Sequence, residues 1–104
     1  MNAKEEFLEE TKDYKVVCAK VNIDKNSYGN AKNWVYLKKG YSKKEFDSFL
    51  KKIDKEYDGG YGGQELFGLI LCEDGIWFDR YEYDGSERWD KHKYPSEEEL
   101  LTDK

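Results

Sequence analysis

A chain of 104 residues with a formal charge of −5 has room for one domain and a single hydrophobic core. Apolar residues make up 38% of it and aromatic residues 16%, so burial must rest on nine Tyr, five Phe and three Trp rather than on aliphatic bulk. That aromatic content excludes a disordered chain in spite of the 39% charged residues. There is no run of 18 apolar residues and no charged start leading into an apolar stretch and a cleavage site, so neither a membrane span nor a secretory signal is expected and the cytoplasm is the expected location.

Asn2 to Lys12, NAKEEFLEETK, is rich in helix formers with Phe7 and Leu8 adjacent, which predicts a short, weakly anchored helix. Tyr14 to Ile23, YKVVCAKVNI, alternates on its Val17, Ala19, Val21, Ile23 side and predicts a strand. A polar loop, DKNSYGNAKN, leads to a second strand at Trp34 to Lys38. Ser42 and Glu45 then have capping-box spacing, and Phe46, Phe49, Leu50 and Ile53 recur at one helical face. This main helix is expected to run to about Tyr57, where Asp58-Gly59-Gly60 offers left-handed conformations for a C-cap.

Three runs follow, ELFGLILCE, IWFDRYEY and SERWDKHK, punctuated by Asp-Gly at 74–75 and 84–85. Asp-Gly between β-rich runs predicts hairpins, hence a three-stranded antiparallel meander. A two-residue turn at Asp84-Gly85 would set Asp79 against Asp90 and Glu82 against Glu87, both like-charged. A three-residue loop through Ser86 pairs Glu82 with Arg88, Arg80 with Asp90, and Asp79 with Lys91. The second register is therefore expected. It gathers Trp77, Tyr81, Tyr83 and Trp89 on one face and puts Phe78 beside His92. Pro95 stops the last strand, and Ser96 to Leu101 begins a final helical turn. The expected fold is α+β: an antiparallel sheet of about five strands around a ββαβββ core, the main helix on one face and short helices at the termini.

No chemistry is named by a motif. Gly60, Tyr61, Gly62 and Gly63 lack the spacing and the strand-then-helix setting of a dinucleotide fingerprint. They read as a helix-to-strand bend, with anion binding by a backbone nest the alternative. Aligning Gly85 with the sixth place of an EF-hand loop puts Arg80 and Lys91 where carboxylates are required, which rejects that site. His92 is the only histidine and no C-x-x-C or H-x-x-x-H spacing exists, so no metal and no cofactor are expected. Cys18 and Cys72 lie in apolar runs and fit reduced thiols better than a disulfide framework. Residues 1–57 carry 13 Lys against 10 acids and residues 58–104 carry 5 basic against 13 acidic residues. The lysines of the main helix read as a solvated face, and no direct nucleic-acid contact is expected of an acidic chain with no arginine in that half.

The strings GYGGQELFG (60–68), DGIW (74–77) and RYEYDGSERW (80–89), with LKKGYS (37–42) ahead of the main helix, resemble a family of small orphan proteins carried by phages, prophages and plasmids of Firmicutes. The resemblance spans about two thirds of the chain and brings no catalytic residues with it. It implies a mobile-element setting, in which small acidic proteins often inhibit host defence, as anti-CRISPR proteins do. The expected function is thus a non-enzymatic, acidic binding protein that blocks a host defence effector, such as a nuclease, by protein–protein contact. Trp77, Asp79, Tyr81, Glu82, Asp84, Glu87, Trp89 and Asp90 are the expected partner-binding residues. The alternatives are a small-ligand or nucleotide-signal sponge using Gly60 to Gly63, and a general interaction module.

Overall fold

In the computed structural model, residues 1–23, 34–57, 64–83 and 86–95 are described. Helix α1 (Ala3–Thr11) leads into β1 (Val16–Ile23), β2 (Val35–Leu37), helix α2 (Lys43–Lys52), β3 (Leu66–Cys72), β4 (Ile76–Tyr83) and β5 (Ser86–Lys93). The strands form one antiparallel sheet in the order β2-β1-β3-β4-β5. The class is α+β, as expected, with two α-helices among the described residues and a short 3-10 turn, Glu73–Gly75, set into the β3–β4 connection. The expected final turn at Ser96 to Leu101, the glycines at 58–63 and the Asp84-Gly85 turn lie outside the described residues.

Side chains that are neighbours across the register share a face. Leu37, Ala19, Ile70 and Phe78 fall in one row across four strands, and Val21, Leu66 and Trp89 lie on the same side. All are buried in one cluster with Phe7 of α1 and Phe49 and Ile53 of α2. Both helices therefore cover one face of the sheet. A β-bulge between Val16 and Cys18 changes the parity of β1, so Val16 joins Ala19 and Val21 in the core in place of the expected Val17.

α1 is firmly anchored, contrary to the weak attachment its sequence suggests. Ala3, Phe7 and Thr11 form its buried stripe, and Phe7 meets Phe49 edge to face at 5.3 Å. Asn2 caps it by accepting the Glu5 N–H at 3.0 Å, and the Thr11 hydroxyl satisfies the Phe7 carbonyl at 2.7 Å. The stripe escapes a hydrophobicity count because two of its members are Ala and Thr. α2 has the full capping box, with Ser42 and Glu45 each accepting the other's backbone N–H. It stops at Lys52, short of Tyr57, because the chain after it pairs with the N-terminus. The Ala3 N–H donates to Lys55 O at 3.0 Å, the Tyr57 N–H to Met1 O at 2.8 Å, and the terminal ammonium to Tyr57 O at 3.0 Å.

The first Asp-Gly signal does build a tight turn. Asp74 and Gly75 have φ of 64° and 77°, the left-handed pair that a primed hairpin turn requires. The β4–β5 register differs from the expectation by one residue: Asp79 opposes Asp90, Arg80 opposes Trp89 and Glu82 opposes Glu87. Like-charged cross-strand neighbours cost a fraction of a kcal/mol up to about 1 kcal/mol each. Against that, this register buries Trp89, at 5% exposure, over the Cα of Gly68, and full burial of a large apolar side chain is worth about 1.5–3 kcal/mol. It also turns Glu87 inward onto Arg80, so that one of the two like-charged pairs is neutralised by a cation beside it.

Candidate functional site

With both described helices on one side, no helix among the described residues covers the other side of the sheet, its open face. Two rows cross it. Tyr36, Lys20, Leu69, Asp79 and Asp90 make the first, and Cys18, Leu71, Trp77 and His92 the second. Tyr81 and Tyr83 continue the same side of β4, and Tyr36, Leu71, Tyr81 and Tyr83 are all exposed. A guanidinium lies over one of these rings, Arg88 above Tyr81 at 4.6 Å from its centre. An apolar groove of about 320 Å³ runs over Cys18, Tyr36, Leu69 and Leu71, with Lys20, Lys38 and Lys39 at its rim.

At the β4–β5 end of this face, three ionisable side chains converge. His92 Nε2 lies 2.8 Å from Asp79 Oδ1 and 3.5 Å from Asp90 Oδ2. The Trp77 ring stacks on the imidazole, 4.2 Å between centres and 23° between planes, and Tyr94 stacks on Trp77 in turn at 5.7 Å. Asp79, Asp90 and His92 are all half-buried.

Of the residues expected at a partner site, Trp77, Asp79, Tyr81 and Asp90 do share the open face. Glu82 is exposed but belongs to the helix-side parity, at the end of β4. Glu87 and Trp89 are corrected: both are buried beneath the helices, because the one-residue difference in register reverses the face of every side chain on β5. The Glu87 carboxylate accepts the Glu65 and Leu66 N–H groups at 2.9 and 3.1 Å and the Arg80 guanidinium at 3.1 Å. Arg80 also reaches the Tyr57 hydroxyl, which itself donates to Glu6. Burial, then the hydrogen bond to Glu6, holds the Tyr57 phenol well above its usual pKa. Asp84 and Gly60 to Gly63 lie outside the described residues. Cys18 and Cys72 are free thiols, and burial pushes the Cys72 thiol up, away from nucleophilic use. His92 lies on the opposite face from Cys72, so the two do not form a nucleophile–base pair.

Sequence reasoning missed Leu69, Leu71 and His92 on this face. The signal for the leucines was present, since LFGLILC is apolar at both parities, as a strand with apolar side chains on both faces must be. His92 was lost with the register. No helix among the described residues is long and apolar enough to cross a membrane. In class the described residues form an α+β fold, an antiparallel five-stranded sheet with their two helices on one side and an aromatic face on the other. Comparison of the chain with protein-family models, curated proteins and solved structures finds no match in any of the three.

Proposed function

We propose that this is a non-enzymatic binding protein that docks on a partner protein with the open face of its sheet. The observation that carries the reading is the exposed aromatic and aliphatic surface of Tyr36, Leu71, Tyr81 and Tyr83, with half-buried Trp77 among them, on a sheet whose described helices lie behind it. Contiguous exposed apolar side chains with a charged rim are the anatomy of a protein-binding surface, and Tyr, Trp and Arg supply most hot spots. Asp79 and Asp90 give the face an acidic end suited to a basic partner surface. The resemblance to mobile-element orphans supports a host defence effector as that partner, and a nucleic-acid-binding groove of a nuclease has the matching charge.

Tagged chain exposed to lysate of a defence-competent Firmicute host tests this, with recovered proteins identified by mass spectrometry at low and moderate salt. Wild-type chain is expected to capture one salt-sensitive partner that a Trp77→Ala, Tyr81→Ala chain does not. Equal capture by both chains contradicts the reading.

A second reading, small-ligand binding, is favoured by the groove over Tyr36, Leu69 and Leu71, whose volume of about 320 Å³ falls in the range of small-molecule sites. Its apolar floor and lysine rim suit an amphiphilic anion. Native mass spectrometry of purified chain separates the two, since a sponge retains a stoichiometric small molecule and a docking protein does not.

A further inference from the structure

We propose that Asp79, Asp90 and His92 form a binding site for a divalent transition-metal ion of the zinc class, independent of any partner. One atom from each side chain contributes to a set lying within 4.8 Å of one another. Around a tetrahedral zinc ion with bonds of about 2.0–2.2 Å, donors are spaced about 3.3–3.5 Å apart, so this set closes on an ion with shifts of about 1 Å or less. The observed separations of 2.8 and 3.5 Å from His92 Nε2 bracket that spacing.

Three further features favour an ion here. The ligands come from two strands paired in register over their whole length, so the site is held by ladder hydrogen bonds rather than by a loop. Trp77 lies flat on the imidazole and fixes its plane, with Nε2 turned to the carboxylates. Among the described residues no Lys or Arg forms an ion pair with Asp79 or Asp90. Two carboxylates directly opposite each other thus have, among the described residues, only a histidine beside them, and a divalent cation supplies the positive charge that a basic partner surface would otherwise bring. The imidazole nitrogen selects zinc, cobalt or nickel over magnesium and calcium, which prefer oxygen-only sets. In the bound form His92 gives the Nε2 lone pair to the metal, with its single ring proton on Nδ1, and the metal replaces the Nε2 contact with Asp79. Three protein ligands leave a fourth position open to water or to a donor from outside.

The test uses the full chain, stripped with chelator, in calorimetric titration with Zn²⁺ and absorption titration with Co²⁺. One equivalent of Zn²⁺ is expected to bind saturably, with Co²⁺ giving the visible spectrum of a nitrogen and oxygen set. Asp79→Asn and His92→Gln, both close to isosteric, should each weaken binding by more than about tenfold, a loss that even an outer hydrogen-bond partner of a ligand can cause. Trp77→Phe should keep binding while losing the fluorescence change that accompanies it. No saturable binding by the wild-type chain overturns the proposal. So does unchanged affinity in Asp79→Asn or His92→Gln with native far-ultraviolet dichroism, or a thiolate-to-cobalt charge-transfer band, which would move the ion to Cys18 or Cys72. Because no partner protein is present, failure here leaves the docking reading standing.

Discussion

Arg80 and Glu87, on neighbouring strands, form a buried ion pair at 3.1 Å with side chains 2% and 0% exposed. The pair joins α1 through Glu6, the segment after α2 through Tyr57, and the start of β3 through the Glu65 and Leu66 amides. Removing one partner of a buried pair leaves an uncompensated charge, at a cost of about 3–5 kcal/mol. Glu87→Gln is expected near the lower figure, since Arg80 keeps Glu6, and Arg80→Met near the upper. Urea unfolding of both singles and of Arg80→Met, Glu87→Gln checks this. The double variant should lose clearly less than the sum, and additive losses would mean the pair is not coupled.

Trp89 demands a glycine at 68. A Cβ built there lies 2.6 Å from Trp89 Cη2 and 2.9 Å from the Lys20 carbonyl. Gly68→Ala should cost about 1–3 kcal/mol by overpacking. Combining it with Trp89→Leu should not restore stability, because the Lys20 backbone cannot yield as a side chain can. Thermal unfolding of the set measures both effects.

The raised pKa of Tyr57 makes a prediction in alkali. A phenol whose pKa is higher in the folded chain than its usual 10.0 contributes stability that is complete below pH 10 and is lost as pH rises above it. Wild-type chain should therefore exceed Tyr57→Phe in stability at pH 8, and the gap should narrow above pH 10. Urea midpoints of the two chains from pH 8 to 11 read this directly. A gap that widens with pH would contradict the assignment.

The Asp74-Gly75 turn separates two residue requirements. Gly75, at φ 77°, should lose about 1–2 kcal/mol on change to Ala, because Cβ crowds the following carbonyl in left-handed backbone. Asp74→Gly at φ 64° should be tolerated or stabilising in the native turn. Equal losses at both positions would argue against this turn geometry.

Much of the fold was legible because local signals agreed with one another. The Ser42–Glu45 capping box, the Phe49 and Ile53 stripe and the Asp74-Gly75 turn all stand where sequence put them. The β4–β5 register was not legible, because charge pairing on paper weighs the side chains as if all were in solvent. Glu87 is neutralised inside by Arg80, and Trp89 finds room only over Gly68, a contact between residues 21 apart that no local pattern reports. That one-residue difference removed Glu87 and Trp89 from the candidate site and brought in His92. The length of α2 was misjudged for a similar reason, since residues 53–57 answer to the N-terminus and not to their own helix propensity.

The central claim is that the open face is the working face, and paired affinity measurements test it most directly. The captured partner would be titrated with wild-type chain, with Leu71→Asp and Tyr81→Ala on the open face, and with Lys44→Glu and Lys51→Glu on the solvent side of α2. All five chains should first be shown to have native dichroism. The account predicts a loss of about 2 kcal/mol or more, some thirtyfold in Kd, for the open-face changes, and little change for those on α2. Loss of binding on the α2 side with the open face indifferent would contradict it.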